Sequence, residues 1–432
     1  MNIIKKLFLS DTVKKITENV FWQTVDKIIR LVAGLFVGLW VARYFGVEMY
    51  GKLNYSIAYV SLFGAFATLG LDNIAIKNIV EEPQKIPQII GSAIFLKILG
   101  GLILCIVASI SILWIRPEDR VVHIIVFILS IGTIFQAFNA IDFYYYAKVQ
   151  AKYSMISKNA AFLIVTGIKI YLLLNRASLI QFAILGSLEI LLSSLFLVIS
   201  YIKSKELIKQ WRVSRDYCTA ILKQSWPLIL SGFVIMVYMR IDQIMLGNMI
   251  GDDEVGIYSA AVRISEIWYF IPIIIANSVY PNLIKIKGSK ELFEKRYLML
   301  FRLMNCITIP VALIMTFSSN FVINLLYGEA YIASGTIFSI HIWAGIFVFL
   351  GVAAGGFYTI ENLMILSFRR TLLGAIINVC LNFLLIPLFG GTGAAISTLF
   401  AQFTASYFVE IFSKKTRILF ILKSKSFLFI KV

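Results

Sequence analysis

The chain holds 432 residues, of which 59% are apolar and only 15% charged, and its formal net charge is +17. With a mean hydropathy of +0.86, these values exclude a soluble enzyme, a disordered chain and a secreted disulfide scaffold, each of which needs more polar surface or more cysteine. The apolar runs are long and lack period-two alternation, so they read as membrane helices and not as barrel strands.

At about 35 residues per helix and loop, the length accommodates about 12 spans. The basic arm 1–18 is amphipathic and leads straight into a full-length apolar run without a small-residue cleavage site. It reads as an interfacial helix, not as a signal peptide. Spans are expected at 19–43, 53–75, 88–115, 121–147, 158–175, 178–202, 225–249, 256–282, 299–323, 335–360, 370–389 and 392–412. They group as an N-lobe over 19–202 with helices one to six and a C-lobe over 225–412 with helices seven to twelve. A polar linker, 203–224, joins the lobes near the midpoint, and a basic tail, 413–432, follows them. The expected fold is an all-α integral membrane protein of two six-helix lobes.

Orientation follows from Lys and Arg. With the N-terminus in the cytoplasm, and with the span-end residues Arg43, Lys158 and Arg370 counted with the adjoining segments, 28 of the 40 basic residues fall on the cytoplasmic segments, 5 on the opposite loops and 7 inside spans. That asymmetry places both termini and the linker in the cytoplasm, and Asp252, Asp253 and Glu254 outside. The positive charge is thus an orientation signal and an attraction to anionic lipid. It is spread over many segments with no nucleic-acid motif, so no nucleic-acid partner is expected.

An internal repeat supports the two lobes. FGVEMYGKLNYS at 45–56 and IGDDEVGIYSAA at 250–261 align Gly46 and Gly51 with Gly251 and Gly256. Each copy is the outside turn after the first helix of its lobe. Duplicated halves enclosing a site are a transporter plan.

No catalytic chemistry stands out. Cys105, Cys218, Cys306 and Cys380 form no CxxC, and the two histidines, His123 and His341, lie far apart. Neither a metal nor a redox site is indicated. No phosphate loop appears, and no segment is long enough for a soluble nucleotide domain. The expectation is a transporter with no cofactor.

Charges inside the spans carry the information, because burying one in hydrocarbon costs about 2.5–3.5 kcal/mol on insertion scales. The cations Arg30, Lys97 and Arg263, with Arg240 and Lys27 secondary, are the candidates for a wet cavity that receives an anionic head group. Lys27 and Arg302 lie near a cytoplasmic end and could instead snorkel to the interface, and Arg263 could pair with Glu266 three residues on. Asp72, Asp242, Asp26 and Asp142, in that order, are the candidates for ion coupling; their bland role is to neutralise nearby cations. Pro272, Pro281 and Pro310 fit static kinks first and bending helices second. The run FYYYAK at 143–148 fits an interfacial belt first and a sugar-stacking surface second.

Two segments carry a resemblance: ARYFGVEMYGKLNYSIAYVSLFGAFATLGLDNIAIK at 42–77 and MRIDQIMLGNMIGDDEVGIYSAAVRISEIWYFIP at 239–272. Both resemble the first hairpins of the two lobes in polysaccharide-biosynthesis flippases of the Wzx type, within the multidrug/oligosaccharidyl-lipid/polysaccharide exporter superfamily. Arg43, Gly46, Gly51, Gly70, Asp72, Arg240, Asp242, Gly251, Gly256, Tyr258, Arg263 and Glu266 lie on the matching motif. The resemblance implies a twelve-helix, MATE-like fold in the cytoplasmic membrane. Its implied activity is transfer of undecaprenyl-pyrophosphate-linked oligosaccharide to the outer leaflet, for O-antigen or capsule, by alternating access through a cationic cavity. Membrane lipids, and a polysaccharide polymerase with its chain-length machinery, are the implied partners. Two alternatives stand beside it. A multidrug or cation antiporter of the same fold would prefer acidic in-span residues. A membrane-embedded polymerase would need a large external loop, and the external loops here are short.

Overall fold

A computed structural model describes residues 11–204 and 208–428. The first ten residues of the expected amphipathic arm lie outside the described residues. Everything described is helix or short connection. Among these residues, ten stretches are long and apolar enough to cross a membrane. Two of them, Ile29–Leu62 and Met364–Ile411, hide a sharp turn at Gly46 or Gly390. Each therefore contains two legs, which gives twelve.

The helices in order are α1 (Asp11–Leu62), α2 (Gly64–Thr68), α3 (Asp72–Glu81), α4 (Ile86–Ile115), α5 (Arg120–Phe135), α6 (Ala140–Ala147), α7 (Ala151–Leu174) and α8 (Leu179–Lys203). They continue as α9 (Arg215–Met249), α10 (Asp252–Glu266), α11 (Phe270–Lys285), α12 (Lys290–Tyr327), α13 (Ser334–Ile360), α14 (Met364–Ser406) and α15 (Arg417–Phe427). Side chains such as Trp114 (84% exposed) and Phe317 (89% exposed) stand on the outer faces of spans. That arrangement is stable only against lipid. The chain is a multi-pass membrane protein.

Three expected spans are broken. The second stops at Leu62, restarts as the short α2, and turns at Leu69 and Gly70, whose φ values are +54° and +59°, before α3. The fourth is interrupted by a 3₁₀ turn, Gln136–Asn139, between α5 and α6. The eighth is interrupted by another, Ile267–Tyr269, ahead of Pro272. Hydropathy averages over such breaks because their flanks are apolar, even where, as at Gln136 and Asn139, the turn itself carries polar residues.

The chain divides into two compact units. Unit 1 comprises Met1–Tyr44 and Ser56–Met236, and unit 2 comprises Phe45–Tyr55 and Val237–Val432. The core of unit 1 joins α3, α4, α6 and α8 through Ile79, Ile90, Tyr144, Tyr145 and Tyr201. The stretch expected as a polar linker enters this core: Cys218 and Ile221 are buried in it. Backbone at Arg212 and Ser214 hydrogen-bonds to Pro87 and Ser92. The core of unit 2 is aromatic, with Phe293, Tyr297, Phe301, Phe349 and Phe357 on α12 and α13. The stretch expected as a loose tail contains α15, whose Leu419 and Leu422 join that core.

Within unit 2 the repeated glycines have a physical explanation. A Cβ on Gly51 would lie 1.8 Å from the Asp252 carbonyl oxygen, and one on Gly256 would lie 2.1 Å from that of Val47. The two hairpin turns pack backbone to backbone, each through the second glycine of its motif. The first glycines, Gly46 and Gly251, take φ values of +72° and +144°, which a side chain would strain.

Candidate functional site: a charge-paired cavity and a buried carboxylate

In unit 1, ions collect in two clusters. The first is on α1, α7 and α8. Arg30 Nε donates to Asp26 at 3.0 Å one turn back, and its Nη1 donates to Glu189 at 3.4 Å. Lys169 Nζ lies 3.3 Å from the other oxygen of Glu189. The Arg30 guanidinium also sits 5.0 Å above the Phe162 ring.

The second cluster lines a cavity of about 250 Å³ walled by Thr68, Asp72, Ile76, Lys97, Gln136, Asn139, Asp142, Phe143, Tyr146 and Lys158. Lys97 Nζ reaches Asp72 at 3.4 Å and lies 4.9 Å over the Phe143 ring. The pairing is unequal: the Lys97 side chain is 5% exposed, that of Asp72 60%. A buried ammonium held by one solvated carboxylate is weakly compensated, because water screens the acid. Asp142 is buried and is bonded by Lys158 and Ser154.

Sequence reasoning singled out Arg30, Asp26, Lys97, Asp72 and Asp142, and the structure brings each to a cluster. It missed Lys158, Lys169 and Glu189 as site members. Lys158 escaped because the expected fifth span begins there, whereas α7 begins at Ala151 and carries Lys158 two turns into the helix. Charge at a helix position facing a polar neighbour was the available signal. Lys27 is exposed and joins neither cluster.

Unit 2 holds the remaining candidates. Arg263 lies beside Tyr50 and Tyr327 and interacts with both. The electrostatic partner of Glu266 is Arg240, on α9. Asp242 is 4% exposed. Its Oδ2 accepts from Tyr258 Oη and Thr398 Oγ1, each at 2.6 Å, and its Oδ1 accepts from Asn382 Nδ2 at 2.6 Å. Three elements deliver these groups: α9 supplies the acid, α10 the tyrosine, and the two legs of α14 the amide and the threonine. Asn382 Oδ1 and Asn378 Nδ2, beside it, are buried without a partner. Every one of these partners is neutral. A buried carboxylate met only by neutral dipoles is a place for one added positive charge, a proton or a monovalent cation. Asn382 Oδ1 is a spare oxygen for such a charge.

Residues 16–287 match the family described as polysaccharide biosynthesis protein, and residues 227–384 match the MatE family. The capsular polysaccharide biosynthesis protein CapF of Staphylococcus aureus is 24% identical over 92% of this chain and 99% of its own length. The probable flippase AglR of Haloferax volcanii is 28% identical over 44% of this chain, and the match spans 41% of that relative. Among solved structures, the lipid II flippase MurJ in an inward closed conformation superposes with a TM-score of 0.69 at 17% identity, over 95% of this chain and 91% of that one. An inward-facing MATE family multidrug transporter superposes at 0.72 with 16% identity, over 92% of this chain and 96% of that one. The two structures establish the fold, and the first family match covers well over half the residues: the chain belongs to the polysaccharide biosynthesis protein family.

Proposed function

We propose that the protein is a flippase that moves undecaprenyl-pyrophosphate-linked oligosaccharide from the inner to the outer leaflet of the cytoplasmic membrane, with both termini in the cytoplasm. The observation that carries the reading is the family membership together with the polar, lysine-bearing cavity inside unit 1. A pyrophosphate crosses low-dielectric surroundings only beside countercharge. Transfer breaks no bond, so binding and release suffice. Membrane lipids surround the protein, and a polysaccharide polymerase with its chain-length machinery is the consumer of its product. A multidrug antiporter shares the fold, but a relative matched over nearly its full length is named a capsular polysaccharide biosynthesis protein.

In unit 1 the cations of both clusters are already paired with carboxylates. A phosphate must therefore exchange with an acid rather than fill an empty cationic hole. Lys97 is best placed to exchange, since its partner Asp72 is solvated and loses little on release. Arg30 offers a planar fork that matches phosphate oxygens, and on unit 2 Arg263 and Arg240 carry the same fork. Lys27 is a peripheral attractor. For coupling, Asp242 supplies the most enclosed carboxylate; Asp72 and Asp142 would report exchange at the cavity instead, and Asp26 exchange at Arg30. Arg30→Ala and Lys97→Ala proteins, present in the membrane at normal level, should each lose most precursor transfer. Full transfer by both would contradict the assigned cavity. Asp242→Asn should retain substrate binding and lose dependence on the ion gradient; unchanged dependence removes Asp242 from coupling.

A further inference from the structure

We infer that the unit 1 cavity receives the first sugar ring of the lipid-linked glycan, not phosphate alone, and that Gln136 and Asn139 read that ring. The inference rests on the flippase reading and deepens it. A site built for phosphate presents donors only. This cavity presents donors and acceptors in near balance: the ammonium groups of Lys97 and Lys158, the carboxylates of Asp72 and Asp142, and the amides of Gln136 and Asn139. Sugar hydroxyls both donate and accept, so they need such a mixture.

The two amides come from the 3₁₀ turn that separates α5 from α6. Residues three apart eclipse in that geometry and stand about 6 Å apart along the axis, so both face the same side. That separation suits hydroxyls on two positions of one pyranose ring. Among the described residues, neither side-chain amide makes a hydrogen bond, although both line the cavity. Polar groups held in a cavity without protein partners are available to a ligand. Tyr146 adds an aromatic wall, whereas the Phe143 face is already covered by Lys97. The volume, about 250 Å³, lies just below the range of roughly 300–1,000 Å³ of small-molecule clefts. It suits one ring and excludes a whole repeat unit.

The test is calorimetric titration of the purified full chain in lipid nanodiscs, with inorganic phosphate and with the 1-phosphates of glucose, galactose and N-acetylglucosamine as probes. At least one hexose 1-phosphate should bind about tenfold or more tighter than inorganic phosphate. Gln136→Leu with Asn139→Leu should erase that preference and leave the phosphate affinity unchanged, which also shows that the variant is folded. Gln136→Ala alone should reduce the preference. Lys97→Gln should weaken all four probes. If no hexose 1-phosphate outbinds phosphate, or if the double variant keeps the preference, the sugar subsite is wrong. In that case intact precursor transfer in cells leaves the flippase reading standing. Absence of precursor transfer by the wild-type chain overturns the flippase reading itself.

Discussion

Glu410 shows how single residues set stability in this protein. It is fully buried, and one of its oxygens lies 2.7 Å from Lys423 Nζ, 3.7 Å from Arg370 Nη1 and 3.2 Å from Tyr358 Oη. Removing one partner of a buried ion pair costs about 3–5 kcal/mol, because the other charge stays behind. Glu410→Gln should therefore lower thermal stability by about that amount, while Lys423→Met in the same background should recover part of it. Lys423 also gives stability a pH dependence. Burial, outweighing the pull of Glu410, pushes its amine down to about 8 from the ordinary 10.5. Between those values the unfolded chain holds a proton that the folded chain has released, so this group adds stability as pH rises above about 8 and costs most below it. Melting curves from about pH 7.5 to about 9.5 should show that rise in the wild type and not in Lys423→Met. Parallel curves would assign the pH dependence elsewhere. At this scale the sequence was informative wherever a charge interrupted an apolar run, as at Arg30, Lys97 and Asp142. It was silent where the charge lay on a polar helical extension, as at Lys158, or beyond the last span, as at Lys423. Hydropathy marks where apolar residues begin, not where a helix begins.

Helices and turns were legible to different degrees. A long span such as α13 falls where an uncharged apolar run lies, because nothing in it competes with helix. The breaks at Leu69 and Gln136 were not legible, and neither carries a proline. The break at Ile267 was: Pro272 supplies no N–H to the Trp268 carbonyl four residues back, so the helix is interrupted there. The paired hairpin turns are the clearest case of a sequence pattern with a structural cause. Gly51→Ala and Gly256→Ala each push a methyl group into a backbone carbonyl that cannot rotate away. Each should cost about 1–3 kcal/mol or more, as overpacking does. Gly167 is also helical, but a methyl group added there would meet nothing within 4 Å. Gly167→Ala should therefore be neutral or stabilising by up to about 1 kcal/mol through helix propensity. Thermal melts of the three variants check the contrast; equal effects would mean that the turns do not pack as described. The polar stretches before α9 and after α14 read as linker and tail because they are charged. The structure folds both back, since Trp211, Ile221, Leu419 and Leu422 supply apolar faces too short for hydropathy to register.

For the whole molecule, the twelve-leg plan was legible from length and from the spacing of apolar runs. The grouping was only partly so: the tip of the first hairpin, Phe45–Tyr55, belongs with unit 2, a contact that no local pattern records. Orientation is tested by labelling with a membrane-impermeant thiol reagent. Native Cys218 is buried, so its silence would prove nothing. Introduced cysteines at exposed Asp253 and Lys209 are informative instead. Asp253→Cys should label from outside and Lys209→Cys should not; the reverse pattern would invert the topology. The central claim is that this chain transfers a lipid-linked glycan between leaflets. Its most direct test is depletion of the protein in cells, followed by leaflet-resolved detection of the lipid-linked precursor. Precursor should accumulate in the inner leaflet and disappear from the outer one, and the wild-type chain, but not Lys97→Ala, should restore it. An unchanged outer-leaflet pool after depletion would contradict that claim.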